Sequence, residues 1–85
     1  MKVYVCMAID EHGEEWLTKA TIDRHKAWQI SRDYIEEMLQ RESGDAKGIE
    51  DALNEWDAEF ENYIPRGMNA ECDYMVVRVI PVDED

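Results

Sequence analysis

The chain has little positive charge to set against its negative charge: nine Lys and Arg stand against 21 Asp and Glu in 85 residues, a net charge of -12. That imbalance excludes a basic patch able to hold a phosphate backbone or an anionic membrane surface. Long hydrophobic runs are missing too. The opening MKVYVCMAID carries one Lys and a brief alternation that soon meets charge, too short for a signal sequence or a membrane span, so a cytoplasmic location is expected. Cysteine is scarce. Cys6 and Cys72 have no CxxC spacing, which argues against a metal cage and leaves two free thiols as the expectation in a reducing compartment. No internal repeat and no low-complexity segment is present.

Motifs that carry chemistry are also absent. A P-loop needs glycines that let backbone amides cradle phosphates and a Lys that neutralises them, but the one glycine cluster, SGDAKG, runs into Ile49 and Glu50. A calcium loop wants oxygen ligands at alternate positions, where Asp45 is followed by Ala46, Lys47 and Gly48. No Ser or Cys stands in a nucleophile-elbow context, and His12 and His25 are the only imidazoles. His12 falls in an acidic turn beside Glu11, Glu14 and Glu15 and reads as a solvated hairpin tip more readily than as a metal ligand. His25 reads as a surface residue in the first turn of a helix. No enzyme activity, cofactor or metal is expected.

With 45% hydrophobic residues the composition is that of a folded domain, and the length allows one, spanning residues 1–85. Lys2 to Ile9 alternates β-branched residues and reads as a strand; Asp10 to Glu14 is a turn, and Glu15 to Ile22 returns as the second strand of a hairpin. Asp23 is placed to cap a helix running to about Glu42, with Ala27, Ile30, Tyr34 and Met38 beside Trp28, Ile35 and Leu39 as its apolar stripe. Ser43 to Gly48 forms a short linker. A second helix covers Ile49 to Ile64, a loop follows from Pro65, and a last strand covers Cys72 to Val82 before an acidic tail, Asp83 to Asp85. The expected fold is α+β in the order β-β-α-α-β, a three-stranded, mostly antiparallel sheet with an αα-hairpin packed on one face. Trp16, Trp28 and Trp56 fit the apolar stripes and are expected in the core.

The second helix carries the functional signal. Ile49, Ala52, Leu53, Trp56, Phe60, Tyr63 and Ile64 share one face at about 100° per residue, while Glu50, Asp51, Glu55, Asp57, Glu59 and Glu61 occupy the rest with no Lys or Arg between them. The arrangement opposes helix stability. Asp51 with Glu55, Glu55 with Glu59, and Asp57 with Glu61 are like-charge pairs one turn apart, each costing roughly 0.2–0.5 kcal/mol. An acidic face often serves only to solvate a helix, but the first helix mixes its signs, and solubility does not require this one to differ. The six carboxylates span about 16 Å of axis, one per roughly 3 Å, close to the spacing of about 3.4 Å per phosphate along one DNA strand.

These residues therefore form the expected binding surface for a basic, nucleic-acid-binding protein, whose Arg and Lys would accept carboxylates in place of phosphates. As a class, small acidic α+β domains of this kind resemble phage-encoded anti-CRISPR and anti-restriction proteins, and the resemblance implies an inhibitor acting by DNA mimicry in the host cytoplasm. A different reading stands beside it. If the helices cover only one side of the sheet, the face expected to bear Tyr4, Leu17, Tyr74, Val76 and Ile80, with Cys6 and Ala8, is apolar enough to pair two copies of the chain. The chain would then be a structural or adaptor protein.

Overall fold

A computed structural model of the chain describes residues 1–10, 12–42 and 44–83, without the side chain of Leu17. Glu11 of the expected turn, Ser43 of the expected linker, and Glu84 and Asp85 of the expected tail lie outside those residues. The fold is α+β, with two helices on an open antiparallel sheet.

Strands β1 (Lys2–Ile9) and β2 (Glu15–Thr21) form the expected hairpin. Its turn is organised by Asp10, whose Oδ1 accepts from the amides of His12 and Glu14, both at 2.9 Å. Gly13 supplies the φ of 79° that a side chain would resist. The ladder carries a β-bulge: the register shifts between Cys6 and Met7, leaving Thr18 without a Cα partner. The Thr18 hydroxyl compensates, accepting the Ala8 amide at 2.9 Å.

Helix α1 (Arg24–Glu42) starts where Asp23 Oδ1 accepts the amides of His25 and Lys26. Helix α2 (Ala46–Tyr63) begins three residues before the expected Ile49, because the Asp45 carboxylate accepts the Lys47 amide and caps it there. A single 3-10 turn, Ile64–Arg66, ends it, with Gly67 at φ 76°.

The final strand differs from its expected form. Cys72 to Tyr74 make a tight turn, closed by the Cys72 amide donating to the Met75 carbonyl at 2.8 Å. The turn separates a two-residue β3 (Ala70–Glu71) from β4 (Met75–Pro81). Among the described residues the sheet thus has four strands, not three, in the order β2-β1-β4-β3. No periodicity can announce a strand of two residues.

Register also decides which sheet face the helices cover. Tyr4, Cys6 and Ala8 oppose Val79, Val77 and Met75, and this is the face that packs on the helices. The expectation had Tyr4, Cys6 and Ala8 on the uncovered side with Val76 and Ile80. At the centre of the covered face, fully buried Cys6 lies against fully buried Ala27, its Sγ 3.5 Å from the Ala27 carbonyl, an approach a bulkier residue at that position would prevent. Tyr4 is partly buried against the core. Val3, Val5 and Met7 face the other way, opposite Ile80, Arg78 and Val76.

The core joins Ile49, Leu53, Trp56, Phe60 and Ile64 of the second helical segment to Ala27 and Ile35 of α1 and to Met75 and Val77 of β4. Trp56, 2% exposed, is its largest member. Burial would strand its indole N–H without water, and Ser31 of α1, itself fully buried, accepts that proton at 2.9 Å while donating to the Trp28 carbonyl at 2.9 Å. Trp16 departs from its expected place in the core: it sits on the outermost strand and is 58% exposed.

Replacing Ser31 by Ala keeps the volume nearly constant but orphans the Trp56 donor. The expected loss is about 1–3 kcal/mol, read as a lower urea midpoint with unchanged slope.

Candidate functional site

The six carboxylates expected to act as one field are divided by their neighbours. Asp57 is turned toward α1, where its Oδ1 accepts the Trp28 indole N–H at 2.7 Å and the Arg32 Nε at 3.1 Å. Arg32 in turn lies over the Trp28 ring, 5.5 Å from its centroid. Asp57 is thus a link between the helices. Glu61 lines a shallow groove with Arg24, His25 and Trp28, so a guanidinium shares its surroundings. Glu50 lines another with Arg32 and Glu36. Helical spacing places these three on one row, and that row is the one facing α1.

The other row is different. Asp51 is exposed, and Glu55 and Glu59 line a cleft of about 230 Å³ between the helices and the turn that joins β3 to β4. Ile35, Leu39 and Trp56 line it from the helices, with Cys72 and Tyr74 from the turn. Glu71 and Asp73 line it as well, Glu71 from a ladder position opposite Val76 that sets its side chain toward the other sheet face, and no Lys, Arg or His lines the cleft. No ion pair among the described residues involves any of these four carboxylates. Sequence reasoning missed Glu71 and Asp73, since one was assigned to a loop and the other to a strand. The tight turn at Cys72 brings both to the side of α2.

Tyr74 divides this cleft from a second groove. Its hydroxyl donates to Glu42 Oε2 at 2.6 Å, a contact that pushes the phenol up to about 12 by favouring the protonated form beside a negative charge. Burial raises the Cys72 thiol, and the nearby Asp73 and Glu59 charges raise it further. A nucleophilic cysteine needs the opposite surroundings. Cys6 is likewise raised by burial, to about 11. Both cysteines are free.

The residues expected at an apolar interface do not share a face. Tyr4 and Tyr74 pack partly against the core on the helix side, whereas Val76 and Ile80 belong to the opposite side. Val76 is only 3% exposed, between Met7 of β1 and Glu71 of β3, and Ile80 is 43% exposed. Leu17 pairs with Met7 by its backbone position. Among the described residues no group of three or more His, Cys, Asp or Glu is arranged to hold a metal ion, and no helix is long and apolar enough to cross a membrane.

The Tyr74 to Glu42 contact has a pH signature. A raised folded-state value means the contact contributes fully below the ordinary phenol value and is lost as pH rises toward about 12. Replacing Glu42 by Gln is expected to bring the Tyr74 titration down toward an ordinary phenol, followed by NMR of its ring carbon; an unchanged titration would contradict the assignment.

No protein-family model, no curated protein and no solved structure matches the chain.

Proposed function

We propose that the chain is a small acidic binding protein that blocks the basic nucleic-acid-binding surface of a protein partner, in the manner of phage-encoded inhibitors of CRISPR or restriction systems. One observation carries the reading. Glu55, Glu59 and Asp73 line an apolar cleft with no basic residue in its lining, and Asp51 extends their row along α2. Carboxylates gathered at one cleft offer several acceptors to a partner's Arg and Lys, which would lose water in the contact. Groups shaped to hold phosphates accept carboxylates in similar geometry. The active surface is therefore re-centred, from the whole outer face of α2 to its Asp51, Glu55 and Glu59 row with the neighbouring turn.

Replacing Glu55 and Glu59 by Gln and Asp73 by Asn together leaves the core untouched. The triple variant is expected to lose salt-sensitive capture of nucleic-acid-binding proteins from a bacterial lysate, identified by mass spectrometry at low and high salt. Undiminished capture by the variant, or capture of no such protein by the parent chain at low salt, sinks the reading.

A second reading, self-association through the sheet, is favoured by the two-layer architecture. Val3, Val5, Met7 and Ile80 face away from both helices, and the Arg78 to Glu15 ion pair at 2.8 Å leaves little net charge among them. Ile80→Glu is the suitable probe because Ile80 is exposed, whereas a polar residue at Val76 would damage the monomer. Under this reading the variant shifts sedimentation from dimer to monomer; a parent chain that already sediments as a monomer removes it.

A further inference from the structure

A second groove, of about 460 Å³, opens on the far side of Tyr74, between the C-terminal half of α1 and the end of the hairpin. Tyr34, Met38, Tyr74 and Ile9 give it apolar walls, and Asp10, Glu42 and Asp73 give it three carboxylates. It too has no basic residue in its lining. Trp16 stands at its border, 58% exposed, with its indole N–H held by Asp10 Oδ2 at 3.2 Å. A large aromatic side chain kept in water by an edge strand contributes nothing to the core, and here a hydrogen bond orients it. Asp10 also accepts from the turn amides and the indole, and these contacts hold its carboxyl below the usual range and therefore charged. It positions the tryptophan, while Asp73 and Glu42 supply the groove's charge.

Aromatic faces beside carboxylates suit a planar cation. A guanidinium stacks on a ring and hydrogen-bonds a carboxylate in the same pose, whereas an ammonium is a compact, strongly hydrated point charge. The volume falls within the range of sites that enclose a side chain or a small ligand. We infer that this groove receives an arginine side chain from a protein partner, with Tyr34 and Tyr74 as its aromatic walls, Trp16 beside Asp10 at its rim, and Asp73 and Glu42 as its anions. The inference rests on the reading that the partner is basic, and it adds a recognition site apart from the α2 row.

The test uses the full chain, isotope-labelled, titrated with a short arginine–glycine peptide, its lysine counterpart of equal charge, and spermidine. The arginine peptide is expected to shift the Trp16 indole resonance and the amides of Asp10, Tyr34 and Tyr74, and to bind at least severalfold more tightly than the lysine peptide. Trp16→Leu, at an exposed position, is expected to weaken it about two- to fivefold, the equivalent of one exposed cation–π contact, while Asp83→Asn, beyond the far end of β4, leaves it unchanged. Equal binding of all three cations, shifts confined to α2, or an unaffected Trp16→Leu variant overturns the inference. Shifts confined to α2 would leave the reading of that helix standing, so the two failures are distinguishable.

Discussion

The hydrogen bond from the Trp56 indole to the Ser31 hydroxyl is the constraint on which the remaining architecture depends. A tryptophan this deeply buried supplies much of the apolar area of a small core, but only if its one polar atom is satisfied. Ser31 does so from the neighbouring helix, and thereby sets how α1 and α2 meet. Asp57, one residue further along α2, joins Trp28 and Arg32 on the same helix. The helix pair is thus held by directional polar contacts at its centre, with the clefts on either side of Tyr74 formed against it. Their walls come from elements far apart in the chain, so their geometry is only as definite as the packing of the two helices.

Charge is distributed by the same packing. Nine basic residues cannot neutralise 21 acidic ones, and where the few cations sit decides which carboxylates stay unopposed. Arg32, Arg24 and His25 all lie along α1 toward one flank of α2, and Arg41 and Arg78 are engaged by Glu37 and Glu15. The opposite flank, with the turn after β3, keeps one cation, Lys47, a turn before Asp51 on the same helical row, and is otherwise left to carboxylates. Surface ion pairs contribute little to stability, so the main effect of this arrangement is to give the molecule one side with an excess of negative charge.

Much of the fold could be read from residue patterns. The period of apolar residues marked both helices, β-branched alternation marked the hairpin, and Asp23 announced its cap. What escaped did so for identifiable reasons. Asp45 capped α2 earlier than the apolar stripe began, and a two-residue strand has no pattern. The covered sheet face was misjudged because hydrophobicity alone cannot rank Tyr4, Cys6 and Ala8 against Val3, Val5 and Met7, whereas the close approach of Cys6 to Ala27 appears only once α1 is placed on the sheet. Glu55 and Glu59 of the candidate site were visible as part of an acidic helix. Glu71 and Asp73 were not, because their approach depends on a turn and a two-residue strand that no residue pattern marks. Asp57 looked like its neighbours until α1 was placed beside it.

The bulge at Thr18 bears on how molecules of this protein meet one another. The sheet ends on one side in β3, two residues long, and on the other in β2, seven residues with an unpaired outer edge. Such an edge is a template for intermolecular strand addition and fibrillar aggregation. An extra residue in mid-strand bends and twists the edge away from the straight line a second strand would follow, and Glu15 and Lys19 place charge along it. The hydroxyl that repairs the hairpin's ladder from within therefore also maintains the irregularity that discourages unintended assembly from without.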